Sequence, residues 1–212
     1  MLSVSHLSVR RGNQWIIRDL SFRLEGGHRL FLQGEIGTGK STLLQTLLGF
    51  IPAQQGEIRL FDTPCRTEND FQPFRGRVGF CFQNPDDQLF GPTVLDDVAF
   101  GPLNQGLTEP DAYAVALRQL EKLDMDYLRH RAVNVLSGGE KNFVALAGVL
   151  AMQPEILLLD EPTNGLDSKN TGKLTALLRG LKLPMLIASH DAAFTKQLAD
   201  SVLWLQKPEN GA

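Results

Sequence analysis

The run Gly34-Glu35-Ile36-Gly37-Thr38-Gly39-Lys40-Ser41-Thr42 constrains the fold more than any other stretch, because it sets a glycine-rich turn between two apolar segments. Gly, four residues, then Gly-Lys-Ser is the P-loop pattern; the strand-like Leu30-Phe31-Leu32 precedes it and the helix-like Leu43-Leu44-Gln45-Thr46-Leu47-Leu48 follows. Glycines let the backbone turn until successive N–H groups converge, and the following helix adds its positive N-terminal end. Such a cradle suits phosphate oxygens. Lys40 is placed to bring a point charge to them, Ser41 to put its hydroxyl on Mg²⁺, and Thr42 to support the cradle.

A chain of 212 residues can bury one proper core and has room for one domain with a subdomain inserted into it. The formal charge of -3 gives no bulk basic surface, which argues against a dedicated nucleic-acid binder. Cys65 and Cys81 have neither Cys-x-x-Cys nor Cys/His spacing, so no zinc site is expected and a reducing compartment is the default. Met1 to His6 lack the cationic start and apolar run of a secretory signal. No window reaches the roughly 18 to 20 apolar residues of a membrane span. A cytoplasmic protein is expected, reaching a membrane only through a partner.

Short strands are expected over Leu2 to Val9 and Trp15 to Leu24, joined by a turn at Arg11-Gly12-Asn13, and again at Glu57 to Phe61 and Val78 to Phe82. From Asn84 to about Ala145 the character changes. Pro85, Pro92, Pro102 and Pro110 are expected to separate short pieces, with helix-period apolar residues from Asp111 to Leu123. Glu155 to Asp160, Pro184 to Ser189 and Val202 to Leu205 return to continuous apolar strand. Continuous apolar strands alternating with helices indicate a parallel sheet covered on both faces.

Asp160-Glu161 closes one of these strands. Beside a P-loop, Asp160 is suited to holding Mg²⁺ and Glu161 to orienting or deprotonating an attacking water, whereas without one the pair would be an ordinary acidic turn. Leu136-Ser137-Gly138-Gly139-Glu140-Lys141 sets a hydroxyl and free N–H groups at the start of a helical run from Phe143 to Met152. Alone it is a helix cap; here it is a second anion site.

With Gln83 and His190 added, the set resembles the ATP-binding cassette (ABC) ATPases over essentially the whole chain. That resemblance implies an α/β P-loop NTPase fold with a RecA-like core, an N-terminal antiparallel β subdomain and an inserted helical signature subdomain at about residues 85–145, all in a single ABC ATPase domain spanning 1–212. It makes Gln83 the Q-loop residue near Mg²⁺ and water, Leu136 to Lys141 the signature, Asp167 the D-loop and His190 the switch histidine. ATP and Mg²⁺ are the implied cofactors. It also implies that two cassettes, in a homodimer or heterodimer, pack head to tail, so that the Ser137-Gly138-Gly139 helix of one closes on the ATP held by the other. The family stacks adenine on an aromatic residue near the first strands, where this chain has Arg11 and, nearby, Trp15; the guanidinium of Arg11 can stack in its place, and the alternative for Trp15 is a packed hairpin residue. Glu35-Ile36 also departs from the polar or small pair usual in the loop. His6, His28 and His130 have no such context and are expected to be surface or structural.

Gln83-Asn84-Pro85-Asp86-Asp87-Gln88-Leu89-Phe90 and Thr93 to Pro102 resemble, within that family, the ATPases of energy-coupling-factor importers, which include cobalt, nickel and vitamin uptake systems. The resemblance implies a separate integral membrane transporter subunit whose coupling helix enters a groove beside the Q-loop, and a location on the inner face of the cell membrane. Asp86 and Asp87 are expected to meet cationic side chains of that subunit. Nickel or cobalt is the expected solute, with a vitamin such as biotin as the alternative. The chain stops at Ala212, which suggests a short form without a C-terminal extension. The rival reading is a soluble non-transport ABC ATPase of DNA repair, chromosome organisation or translation, whose coiled coils or zinc modules do not fit between Gln83 and Ser137. A degenerate subunit without turnover is disfavoured by the presence of Lys40, Asp160, Glu161 and His190.

Overall fold

The computed structural model describes residues 1–208, so the expected short end at Ala212 lies outside the described residues. Strands β1 (Leu2–Arg11) and β2 (Gln14–Leu24) form a hairpin; β3 (Arg29–Gln33) leads through the P-loop to helix α1 (Lys40–Leu47). Then follow β4 (Gln55–Leu60), β5 (Thr63–Cys65), the single-turn α2 (Glu68–Phe71) and β6 (Val78–Cys81). Three longer helices, α3 (Val94–Asn104), α4 (Glu109–Lys122) and α5 (Gly138–Ala151), separate β6 from β7 (Ile156–Asp160). The chain closes with α6 (Ser168–Gly180), β8 (Met185–Ala188), α7 (Ala192–Leu198) and β9 (Ser201–Trp204).

β3, β6, β7, β8 and β9 make one sheet in the order β6-β7-β8-β3-β9, with every pairing parallel. β7 and β8 are buried along their whole length because both faces are covered, whereas the edge strand β9 leaves Val202 and Trp204 exposed. Leu30, Leu32, Leu158, Leu186 and Ala188 pack toward α1 and the antiparallel sheet, while Phe31, Leu157, Leu159, Met185 and Ile187 share a second core with α3 to α7. The antiparallel sheet, ordered β2-β1-β4-β5, is not wholly N-terminal: β4 and β5 arrive after α1. Pairing Leu2 with Leu60 and Val4 with Ile58 is what brings them back, since these four side chains fill the core that α1 also enters.

Two sequence expectations change. Pro102 does not break the chain into pieces but lies buried inside α3, whose Val94, Val98 and Ala99 share a core with α4 and α5. Lacking an N–H, Pro102 leaves the Val98 carbonyl without its intrahelical donor. Phe82 lies outside β6, because its N–H donates to the Gln88 side chain at 3.2 Å rather than to a ladder. The turn before α3 is fixed by Asp97, whose carboxylate accepts the Phe90 and Gly91 N–H groups at 2.8 and 2.7 Å.

Arg29, at the start of β3, clamps the entry to β9: its Nε and Nη2 donate to the two carboxylate oxygens of Asp200 at 3.0 and 2.9 Å, and its backbone N–H adds a bond of 2.9 Å. The Arg29 hydrogen bonds hold the Asp200 carboxyl down from its ordinary 3.8 to about 2. A carboxyl lowered in the folded state contributes stability above its unfolded value and loses it as pH falls through the folded one. With the pair about a third exposed, screening keeps the contribution near that of a good surface pair. Asp200→Asn is therefore expected to cost about 1 kcal/mol near neutral pH, a fall in Tm of about 2 to 4 °C. The difference from wild type should shrink as pH drops from about 4 to about 2 in thermal melts, and a pH-independent difference would contradict it.

Candidate nucleotide site

β3 and α1 hold the P-loop at the C-terminal edge of the parallel sheet, the edge at which open α/β sheets bind ligands. A Cβ on Gly34, at φ +153°, would stand 2.5 Å from the Leu205 carbonyl oxygen and 2.8 Å from Thr38 Oγ1, so only glycine lets the loop pass there. Gly39, left-handed at φ +97°, precedes α1, whose first turn has no acidic residue to offset its dipole. Lys40 Nζ donates to the Gly34 and Glu35 carbonyls at 2.9 and 3.2 Å, and Thr38 Oγ1 donates to Glu35 O at 2.9 Å. Thr38, Lys40 and Thr42 are buried, whereas Ile36 is 92% exposed and packs against nothing in its own chain.

The end of β7 supplies the carboxylates. Asp160 is buried and its Oδ1 has no hydrogen-bond partner. Burial raises its pKa most, a Ser41 hydrogen bond opposes this, and the neighbouring Glu161 pushes the same way as burial. An orphaned buried carboxylate oxygen beside a serine hydroxyl is a hard-oxygen donor set that fits a divalent cation such as Mg²⁺. Among the described residues no three His, Cys, Asp or Glu gather into a cage.

Glu161 follows at φ +47°, a left-handed conformation that costs a non-glycine residue free energy and turns its side chain back across the edge of the sheet. Its N–H donates to Ala188 O at 2.8 Å. Its Oε2 accepts the His190 N–H at 3.1 Å and meets His190 Nδ1 at 2.7 Å. An ionised carboxylate only accepts, so this assigns the Nδ1 proton to the ring and leaves Nε2 as its second polar atom. β7 and β8 thus bring together two residues that stand 29 positions apart.

Ser137 caps α5 in a capping box: its N–H and Oγ donate to Glu140 Oε2, both at 2.8 Å, and the Glu140 N–H returns a bond to Oγ at 3.3 Å. These bonds hold the Glu140 carboxyl below the usual carboxylate range. Gly138 and Gly139 open the helix behind the cap, and Asp167 caps α6 by accepting Asn170 N–H at 2.7 Å. Among the described residues no hydrogen bond joins Ser137, Gly138 or Gly139 to the P-loop of the same chain.

Gln83 is exposed at the end of β6, and Gln88 ties its loop to α5 by donating to Ala145 O at 2.9 Å while accepting from Phe82 N–H. Asp86 Oδ1 pairs with Lys141 Nζ at 2.5 Å while the Asp86 side chain stays 61% exposed, and Asp87 is exposed beside it. Sequence reading had no signal for Gln88 or for this pair, since both depend on contacts more than fifty residues apart. Of the two adenine candidates, Arg11 reaches Gln45 on α1 at 3.4 Å. The Arg10 and Arg18 guanidiniums lie 4.9 and 5.5 Å from the Trp15 ring centroid.

The family model described as ABC transporter matches residues 17–164. An uncharacterized ABC transporter ATP-binding protein of Haemophilus influenzae is 64% identical over 205 residues, covering 97% of this chain and 94% of that one. The cobalt import ATP-binding protein CbiO of Rhodobacter capsulatus is 45% identical over 188 residues, 87% of this chain and 67% of that one. Among solved structures, cbiO1 from Clostridium perfringens, part of the ABC transporter complex cbiONQ, aligns with a TM-score of 0.85 at 31% identity, covering 97% of this chain and 84% of that chain. Similarity this extensive, on a chain whose sheet edge joins a phosphate cradle to a buried carboxylate pair, means that the chain belongs to the ABC transporter family as an ATP-binding subunit.

Proposed function

We propose that this chain is the ATP-hydrolysing subunit of an importer and couples ATP-driven closure of a cassette dimer to uptake of a transition metal, nickel or cobalt, through a separate membrane subunit. The observation that carries the catalytic part is the Glu161–His190 pair beside the orphaned oxygen of Asp160. Residues 34–42 cradle the phosphates, with Lys40 as their point charge. Ser41, Asp160 and Gln83 would hold Mg²⁺, which would neutralise charge on the phosphate oxygens. Glu161 orients a water and takes its proton as the water oxygen bonds the γ-phosphorus and the bridging P–O bond breaks, with ADP leaving. His190 fixes the carboxylate for that task through Nδ1. Arg11 is favoured for the adenine contact because Arg10 and Arg18 already lie over Trp15.

Residues 85–145 are read as the signature subdomain, whose Ser137, Gly138 and Gly139, with Asp167, serve the nucleotide of a second ABC subunit. For the importer reading, the support is a phenylalanine-lined surface beside the Q-loop. A groove of about 190 Å³ is bordered by Phe50, Phe71, Phe74, Phe80 and Phe82, and a second of about 550 Å³ by Phe80, Phe90 and Phe100. Exposed apolar surface of this kind suits the apolar face of a short helix from a membrane subunit. The cobalt import relative favours a transition metal over a vitamin. No helix among the described residues is long and apolar enough to cross a membrane, which leaves the spanning part to that partner. The chain then sits peripherally on the cytoplasmic face of the membrane.

Glu161→Gln is expected to keep ATP binding and lower kcat by about a hundred- to ten-thousandfold, with an ATP-stabilised dimer accumulating on gel filtration. Near-normal hydrolysis would remove Glu161 from the mechanism. Ser137→Arg should abolish turnover while the isolated monomer binds ATP as wild type does, since the bulky side chain blocks a site completed only across the dimer. Calorimetric titration of the monomer decides this: an affinity that fell with turnover would put Ser137 in the same-chain site.

A further inference from the structure

The chain returns to its own P-loop after β9. The Leu205 N–H donates to the Gln33 carbonyl at 2.7 Å, and Leu205 is buried with its carbonyl oxygen against Gly34. This anchor sets the path of the next residues. It brings Lys207 over the middle of the loop, where Nζ and Cε each lie 3.9 Å from the place a Cβ on Gly37 would take. Gly37 is at φ +79° and leaves that space open. None of the ion pairs among the described residues includes Lys207, or the acidic Glu35 of the loop. The loop's own lysine is buried and bonded to Gly34 and Glu35 carbonyls, whereas Lys207 is exposed on a flexible stem.

We propose that Lys207 is a second phosphate-binding cation of this site, closing over the P-loop from outside and contacting the phosphate chain of the nucleotide. The proposal rests on the reading of residues 34–42 as the ATP cradle. An ammonium on four methylenes reaches from its anchored backbone to oxygens held by the loop, and its charge offsets Glu35, which otherwise repels phosphate. Because the contact is at the surface, its effect is moderate and falls with salt.

The test is equilibrium binding of ATP and ADP by the full chain in calorimetry, with adenosine by competition, for wild type, Lys207→Met, Lys207→Arg and Lys40→Ala. Lys207→Met is expected to melt as wild type without nucleotide and to bind ATP and ADP about three- to tenfold more weakly, with adenosine unchanged and the loss shrinking as salt is added. Lys207→Arg should keep most of the affinity. If Lys40→Ala abolishes binding while Lys207→Met binds ATP as wild type, the proposal is overturned and the cradle stands. An equal loss for adenosine would also overturn it, by showing a structural effect. ATP binding that survived Lys40→Ala would overturn the reading of the loop itself, and this proposal with it.

Discussion

Burial of alternate residues on the two faces of the parallel sheet allows its strands no freedom of register, because a slip of one residue would exchange Leu158 and Leu186 for Leu157 and Met185 in two differently shaped cores. That restriction is what makes the C-terminal edge of the sheet a precise platform. β3 delivers the P-loop, β7 delivers Asp160 and Glu161, and β8 delivers His190, each one residue or a short turn past a strand that cannot shift. The Arg29–Asp200 clamp and the Leu205 bond to Gln33 extend the same control to the tail beyond β9.

On this platform the molecule keeps features that would only weaken a structural protein. Glu161 is left-handed, and Asp160 buries an oxygen without a partner in a place where burial resists its charge. The surrounding order holds them there. The orphaned oxygen and the unopposed N-terminus of α1 have the chemistry that suits a cation and an anion respectively.

Where function depends on neighbours in sequence, it was legible. The P-loop, the apolar run into Asp160-Glu161 and the Ser137-Gly138-Gly139 cap each declare themselves within ten residues, because turn glycines, strand apolarity and capping hydroxyls act locally. What depends on the far side of the chain was not. α3 continues through Pro102 because its other buried side chains are held in a core with α4 and α5, and β4 joins the N-terminal hairpin because Leu60 and Ile58 complete its core. The pairing of Asp86 with Lys141 escapes a local reading for the same reason. Lys207 carries no local pattern at all; only the fold puts it beside Gly37.

The loop after β6 is the place where these long-range contacts accumulate. Gln88 bonds Phe82 on one side and Ala145 on the other, and Asp86 holds Lys141, so the segment that carries Gln83 is fastened to α5 at two points. Lys141 lies one residue past the capping Glu140, so the same fastening reaches the N-terminus of α5, where Ser137 sits. A displacement of the Gln83 loop therefore either carries that helix end with it or breaks a surface ion pair and a part-buried hydrogen bond to the Ala145 carbonyl. The phenylalanine surface is bordered by Phe80 and Phe82 of this same segment. That surface therefore adjoins the connection between the strand that ends near the carboxylates and the helix that begins at Ser137.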